Sequence, residues 1–294
     1  MSALIIHAFF FLYYTEVMNL IVRRIYNIYL FIFARPYFQK LNEVVFRIIV
    51  GPLGFMNHSA DFRLTGERRL FQKLSILNFE IIIDIGANKG DWAEMVLKEA
   101  PLSKVYAFEP QKSEFDKLVK LSKNYKIDRL FPYNLALGDA QKNIEMHIHD
   151  TSSELSYIDN KLNQLPLLTG KSSTSESIKM ILFDTFIESN EDKFNVINFI
   201  KIDTEGYEYE VLLGSIKTLS KYKPGFIQIE MNWHALFRNN SLLKISMQLS
   251  TYRCFHILPF GDVLYEIDPR NPIRNFYQLS NFLFIHKDVN LQDF

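Results

Sequence analysis

The sequence predicts an α/β fold with a doubly wound, mostly parallel sheet that has an antiparallel end. Short, predominantly apolar runs at 81–85 and 196–202 are typical of strands buried on both faces, and predicted helices alternate with them. A glycine turn follows the first run at Gly86 and Gly90. The last two predicted strands, 251–258 and 281–286, have no predicted helix between them, which indicates the antiparallel end.

Composition limits the class of protein. Of the 294 residues, 48% are hydrophobic and 22% are charged, which fits a globular protein with a sizeable core. We expect a main domain at 61–294 and a helical extension at 1–60. Basic and acidic residues number 33 each, which argues against a general nucleic-acid-binding protein with its basic surface. The single cysteine, Cys254, excludes an intrachain disulfide and fits the reducing cytoplasm.

The extension is rich in apolar and aromatic residues. Its first apolar run, 3–14, is shorter than the ~20 residues that cross a bilayer, and its second, 17–34, contains Arg23 and Arg24 near the middle. Neither run has the flanks of a secretory signal. Arginines among aromatic and aliphatic residues suggest helices that lie on the inner face of a membrane or pack on a partner. Helices that simply cover the main domain explain the pattern equally well, and Met18 is an alternative start.

The stretch from Asp84 to Gly90, Asp-Ile-Gly-Ala-Asn-Lys-Gly, joins the first strand to a helix for which Asp91 is the expected N-cap. The glycines permit a tight turn, and Asn88 tolerates the left-handed region. A dinucleotide site requires Gly-x-Gly-x-x-Gly, whose amides hold a pyrophosphate, and this turn lacks that pattern. An acid before the turn instead suits a ligand with an amino group and no phosphate, such as S-adenosylmethionine.

A second acid supports a nucleoside ligand. The strand 104–108 ends at Glu109, 25 positions after Asp84. This spacing is near the ~20 positions expected for a carboxylate that accepts hydrogen bonds from both ribose hydroxyls. Either acid alone could merely cap a helix, but the pair together with the glycine turn favours a nucleoside site.

Further elements continue the alternation of strands and helices. His147 and His149 share the polar side of one strand, and because no other ligand accompanies them we predict no metal site. The remaining predicted elements are strands at 130–137, 143–149 and 226–232, a long loop at 150–177, and a helix along 211–219.

These motifs resemble the FkbM family of S-adenosylmethionine-dependent methyltransferases. The resemblance runs from about 81 to 234 and is carried by the stretches 84–90 (DIGANKG), 108–110 (FEP), 134–139 (NLALGD) and 201–208 (KIDTEGYE). It implies a class I methyltransferase fold, which is a Rossmann-like, seven-stranded sheet. It also implies O-methylation of a sugar or secondary metabolite, as in polysaccharide biosynthesis.

The resemblance also implies roles for individual residues. Asp203 would face the reacting methyl group, and Tyr207, where many relatives have a small residue, is expected to narrow the acceptor pocket. The other implied cofactor-binding residues are Asp84, Gly86, Asn88 and Gly90 for the methionine part, Glu109 for the ribose, and Asn134 and Ala136 near the adenine.

Methyl transfer to a hydroxyl requires alignment of the acceptor oxygen and removal of its proton. Asp203, Glu205 and His234 are the candidate catalytic residues for that proton. Each has a structural alternative: a helix cap, a first-turn carboxylate, and a polar residue that closes a strand, respectively.

We therefore expect an O-methyltransferase that acts on a sugar, a glycan or a lipid-linked saccharide. The alternative is a degenerate methyltransferase fold that binds a membrane or a partner without catalysis. An NAD-linked oxidoreductase is disfavoured because the glycine pattern is absent.

Overall fold

The computed structural model describes residues 20–57, 59, 61–124, 128–149, 152–157, 173–261 and 264–291. The chain divides into two compact units, Met1–Val50 and Gly51–Phe294.

Two helices form the described part of the N-terminal unit. Helix α1 (Leu20–Phe33) and helix α2 (Gln39–Val50) are joined through a 3-10 turn at Pro36–Phe38. The Asn42 side chain donates to the Phe33 carbonyl at 2.9 Å, which fixes the start of α2 against the end of α1. Residues 20–33 of the second apolar run are thus helical, while residues 17–19 and the first run, 3–14, lie outside the described residues. Among the described residues, no helix combines the length and the apolar character needed to cross a membrane.

The strands of the larger unit are β1 (Ile81–Ile85), β2 (Lys104–Phe108), β3 (Leu130–Tyr133), β4 (Ala136–Leu137), β5 (Lys142–His149), β6 (Ser152–Tyr157), β7 (Ser173–Ile181), β8 (Phe199–Ile202), β9 (Phe226–Met231), β10 (Tyr252–His256), β11 (Tyr265–Glu266) and β12 (Ser280–His286). Its helices are α3 (Phe62–Thr65), α4 (Glu67–Leu74), α5 (Asp91–Glu99), α6 (Lys112–Asn124), α7 (Phe183–Glu188), α8 (Glu208–Leu213), α9 (Ile216–Tyr222), α10 (His234–Phe237) and α11 (Leu242–Gln248).

Eight of the described strands form the main sheet, in the order β11-β10-β12-β9-β8-β1-β2-β3. Strand β1 pairs in parallel with β2 on one side and with β8 on the other, and β9 extends the parallel part. Strand β12 runs antiparallel to both β9 and β10. The predicted doubly wound sheet with an antiparallel end is confirmed, and the two-residue β11 adds an eighth strand at its edge. Because β2 and β8 flank β1 on opposite sides, the strand order reverses at β1, and the carboxyl ends of these strands border a crevice.

The side chains of β1 alternate between two hydrophobic cores. Ile81, Ile83 and Ile85 pack on one face of the sheet, where α7 and α8 contribute apolar side chains. Ile82 packs on the other face, against residues of α4 and α5. Asp84 follows Ile82 at a spacing of two, so its carboxylate lies on the α4 and α5 face, where it is fully buried.

A second sheet was not predicted. Four described strands form it in the order β4-β7-β5-β6. The predicted strand 130–137 is divided, because residues 130–133 pair with β2 whereas residues 136–137 pair with β7. The predicted edge strand 143–149 instead lies between β7 and β6. Parts of the predicted loop 150–177 are strands, at 152–157 and from 173 onward, while residues 150–151 and 158–172 lie outside the described part of the chain.

Two local predictions are corrected, and one helix was not predicted. Helix α5 begins at Asp91 with Gly90 at its N-cap, and Asp91 instead forms an ion pair with Lys89 at 3.0 Å. The helix predicted along 211–219 is divided at Gly214, whose carbonyl accepts a hydrogen bond from the amide of Asp184 at 2.8 Å. Helix α11, capped by the Ser241 hydroxyl, was missed.

Candidate functional site

The turn after β1 brings three strand ends together. Gly86 has a φ of +84°, and a Cβ atom there would lie 1.7 Å from the Asp203 carbonyl oxygen. The amides of Gly86 and Ala87 both donate to the Phe108 carbonyl at 2.9 Å. A side chain at position 86 would therefore separate β1 from β8, which explains the glycine.

The next part of the turn binds Glu109. Asn88 has a φ of +49°, and its amide donates to Glu109 Oε2 at 2.7 Å. Glu109 Oε1 accepts from the amide of Gln111 at 2.8 Å. Burial raises the pKa of Glu109 to about 7, although these two amides act in the opposite direction. Because each carboxylate oxygen can accept two hydrogen bonds, Glu109 keeps the capacity to accept one more at each oxygen.

Glu109 lines a first cavity at the carboxyl ends of β1 and β2. Most of its walls are apolar, and the second sheet contributes Met146 to them. The lining consists of Ile85, Gly86, Phe108, Glu109, Pro110, Gln111, Leu135, Ala136, Leu137, Met146, Asp203, Thr204, Glu205 and Tyr207. A mostly apolar cavity with one carboxylate that can accept further hydrogen bonds suits a flat ring joined to a polyhydroxyl group.

A second cavity of about 410 Å³ lies on the other side of the wall formed by Gly86, Asp203 and Glu205. Most of the residues that line this cavity have polar side chains. Its remaining lining residues are Asn57, Ser59, Phe62, Thr65, Glu67, Ala87, Asn88, Lys89, Asp91, Trp92, Lys201, Glu230, Asn232, Trp233, His234, Leu279 and Asn281.

Lys201 is a buried cation at the second cavity. Its buried ammonium donates to Asp203 Oδ2 at 2.7 Å. Burial acts to lower the pKa of Lys201, but the attraction of Asp203 and Asp84 outweighs it, so the pKa is raised. The Asp84 oxygens have no hydrogen-bond partner among the described residues, and burial raises the pKa of Asp84 to about 6 despite the attraction of Lys201.

The wall between the cavities is acidic, because acidic side chains outnumber basic ones among the described residues that line it. Asp203, Glu205 and Glu230 each offer a carboxylate oxygen within 4.8 Å of the others. Burial raises the pKa of Glu230 well above its usual value, and repulsion by Asp203 and Glu205 adds to the effect. The arrangement therefore favours a ligand that brings positive charge or hydrogen-bond donors.

Glu208 shapes the turn that carries Asp203 and Glu205. Its Oε1 accepts from the amides of Thr204 at 3.1 Å and Gly206 at 2.9 Å, and from the Thr204 hydroxyl at 3.1 Å. Burial raises the pKa of Glu208 to about 7, although these amides oppose the shift. The turn holds Glu205 at a φ of +53°, a conformation that few residues other than glycine adopt.

Glu205, which is partly buried, forms a polar group with two residues that follow β9. Its Oε2 accepts from Asn232 Nδ2 at 2.6 Å and lies 2.9 Å from His234 Nδ1. Burial raises the pKa of Glu205, and the His234 contact opposes that shift. With its proton on Nδ1, His234 leaves Nε2 as a basic nitrogen, and Nε2 has no partner among the described residues.

A model of the FkbM methyltransferase domain matches residues 84–256, more than half of the chain. The chain belongs to this family. The match covers the glycine turn, Glu109, the turn at Asp203 and the group around His234.

Solved structures with a similar fold include methyltransferases. One is a methyltransferase FkbM from Methylobacillus flagellatus KT, with 16% identity, a TM-score of 0.43, and coverage of 70% of this chain and 44% of that chain. Another is a precorrin-6y C5,15-methyltransferase from Geobacter metallireducens, with 8% identity, a TM-score of 0.40, and coverage of 75% and 88%. Fibrillarin from Aeropyrum pernix, solved with S-adenosyl-L-methionine, has 8% identity, a TM-score of 0.37, and coverage of 70% and 66%. A search of curated proteins finds no significant match.

In this FkbM-family chain, most of the predicted site residues reach the two cavities. Three line neither: Asp84 is buried beneath them, Gly90 packs near Leu118, and Asn134 donates to the carbonyls of Glu109 and Pro110 at 2.9 Å. The first cavity is lined by Gly86, Glu109, Ala136, Asp203 and Glu205, and the second by Gly86, Asn88, Asp203, Glu205 and His234. Tyr207 lines the first cavity together with Glu109 and Ala136, and it is not among the described residues that line the second cavity.

Sequence reasoning assigned no role to Lys201, Glu230 and Asn232, which line the second cavity. Lys201 could have been found, because a lysine inside the apolar strand 199–202 must be paired when it is buried. Glu230 also lies in a predominantly apolar strand, at a spacing of two from Gln228. Asn232 carries no comparable signal, because an asparagine directly after a strand is common in loops and turns.

Proposed function

We propose that this chain is an S-adenosylmethionine-dependent O-methyltransferase that acts on a hydroxyl of a sugar, a glycan or a lipid-linked saccharide. One observation carries the proposal: two cavities of different chemistry share a wall at Gly86, Asp203 and Glu205. A cofactor that extends along this wall from the first cavity would present its methyl group beside the second.

The residues fit the cofactor. Glu109 can accept hydrogen bonds from ribose hydroxyls in a cavity whose walls, including Ala136 and Tyr207, suit an adenine ring. The acidic wall suits a sulfonium and an ammonium, since Lys201 alone does not balance Asp84, Asp203 and their acidic neighbours. A pyrophosphate would be repelled by the same wall, which disfavours NAD.

The second cavity suits a neutral, polyhydroxylated acceptor. Its carboxylates and carboxamides can receive and donate hydrogen bonds, and Trp233 offers an aromatic surface. The lysines at the cavity, Lys89 and Lys201, are paired with Asp91 and Asp203, respectively. An anionic acceptor would therefore meet mainly negative charge.

When bound, S-adenosylmethionine supplies a methyl group already activated by a positively charged sulfur. The protein must then align the acceptor oxygen and accept its proton. Asp203 lines both cavities and keeps one oxygen that Lys201 does not contact. His234 is the alternative acceptor of the proton, with Glu205 orienting its imidazole through Nδ1.

Binding and transfer test the proposal together. Calorimetry should show that S-adenosylmethionine binds and NAD does not. Purified protein should then move a labelled methyl group from S-adenosylmethionine to an oxygen of free sugars, nucleotide sugars or lipid-linked saccharides. The absence of cofactor binding would refute the proposal. Binding without transfer to any acceptor would instead support the degenerate fold that serves only as a binding module.

A further inference from the structure

The described helices of the N-terminal unit expose large apolar side chains on several sides. Ile25 and Phe31 of α1 are 62% and 72% exposed, and Ile48 of α2 is 67% exposed. Others that are exposed include Val22, Tyr26, Ile28, Tyr29, Ile32, Leu41, Val44 and Ile49. Soluble monomers rarely expose a contiguous apolar patch larger than a few hundred Å². A helix that is apolar on most sides requires apolar surroundings.

The same helices concentrate positive charge. Residues 20–50 contain five basic side chains, Arg23, Arg24, Arg35, Lys40 and Arg47, and the single acid Glu43. Because the whole chain has equal numbers of basic and acidic residues, the rest of it carries the balancing negative charge. The N-terminal unit is therefore the basic part of a neutral protein.

We propose that residues 20–50 form a docking surface for an anionic lipid membrane, with both helices lying in its interface. Apolar side chains such as Phe31 enter the acyl boundary, while long arginine side chains reach back to the lipid phosphates. Arg23 and Arg24 follow one another in an otherwise apolar stretch of α1, where an interface lets both reach headgroups. A second copy of the chain would bring the same excess of positive charge, so the charge favours an anionic partner. The docking surface does not depend on the proposed methyl transfer.

Co-sedimentation of the full chain with vesicles tests the docking surface. Vesicles of equal parts phosphatidylglycerol and phosphatidylcholine should bind the protein much more tightly than vesicles of phosphatidylcholine alone. Arg23→Gln with Arg24→Gln should weaken binding to the anionic vesicles about 25-fold, since each arginine near such a surface contributes about fivefold. Binding of the parent should also weaken at about 0.5 M salt, where charges are screened.

Matched substitutions in the larger unit test whether the loss of vesicle binding is specific to the docking surface. Phe31→Ser should weaken vesicle binding about tenfold or more, whereas Leu102→Ser, at a residue 71% exposed in the larger unit, should not. Lys120→Gln with Lys123→Gln, on exposed positions of α6, controls for the lost charge. Equal binding to both vesicle types, or equal loss in the controls, would overturn the proposal. Light scattering that shows dimers dissolved by Phe31→Ser, with no lipid binding, would assign the face to a second copy and overturn it as well.

Discussion

Glu109 offers the sharpest test of the cofactor site, because its protonation should control affinity. The side chain is only 6% exposed, and burial raises its pKa to about 7. Its two oxygens already accept the amides of Asn88 and Gln111, and a ribose would add donors to the same carboxylate. The ionised carboxylate accepts hydrogen bonds at both oxygens. The protonated form carries a hydrogen on one oxygen and therefore accepts fewer hydrogen bonds from a ribose.

The expected magnitude follows from that pKa. With a pKa of about 7, roughly 90% of Glu109 is ionised at pH 8 and roughly 10% at pH 6. Affinity for S-adenosylmethionine should therefore rise about tenfold, or about 1.4 kcal/mol, from pH 6 to pH 8. Glu109→Gln should weaken binding at pH 8 by about 1.5–3 kcal/mol, the range for hydrogen bonds to a charged group. The variant should also lose the pH dependence.

Calorimetric titration with S-adenosylmethionine at pH 6, 7 and 8 measures both effects. Glu188→Gln, at an exposed glutamate paired with Lys217, is the matched control and should behave as the parent does. Thermal unfolding of each variant checks that the turn at Asn88 still folds. A parental affinity that does not change with pH, or equal affinity in Glu109→Gln and the parent at pH 8, would refute the ribose assignment.

Three further predictions concern the acidic wall. Asp203→Asn should lower turnover by ~10²–10⁴ while cofactor affinity changes far less, if Asp203 accepts the proton; a fully active variant in a methyl-transfer assay would contradict this. His234→Ala should lower turnover by ~10²–10⁴ if His234 is the base instead, and a fully active His234→Ala variant would exclude it. Lys201→Met should lower the free energy of unfolding by about 3–5 kcal/mol, because it leaves buried acids without a cation. Asp84 already has a folded pKa of about 6, above its unfolded value, so the loss should be small at pH 4 and grow as pH rises through 6 and beyond. Urea unfolding at pH 5 and pH 8 measures it, and equal losses at both would count against the charge argument.

Local chemistry explains why much of the main sheet could be predicted. The apolar run 81–85 ends at a glycine turn, and both features are encoded within ten residues. The acid Glu109 follows the next strand directly, so its place at the same sheet edge follows from parallel pairing. Strand order near β1 is a consequence of these short-range patterns.

The second sheet depends on pairing over long distances, which explains why it was missed. Strand β7 pairs with β5, more than 20 residues away, and neither has the continuous apolar run of a central strand. The predicted third strand runs on to Leu137 because nothing local marks the change of partner. That change moves Ala136 against Met180 and helps to close the first cavity with Met146.

A buried polar row next to the acidic wall shows a second reason why parts of the site could not be predicted from the sequence. Asp84, Lys201 and Gln228 each interrupt an apolar strand, and each looks like an isolated exception in the sequence. The register places Asp84 opposite Lys201, and Lys201 opposite Gln228, so the three form one row across β1, β8 and β9. Gln228 Nε2 extends the row by donating to Glu67 Oε1 at 2.7 Å. A buried row with more acids than cations lowers stability unless a ligand supplies positive charge. A cofactor that carries a sulfonium and an ammonium would supply it. Under the proposed function, the same interruptions that weaken the apolar core of the sheet would favour a cationic ligand over a pyrophosphate.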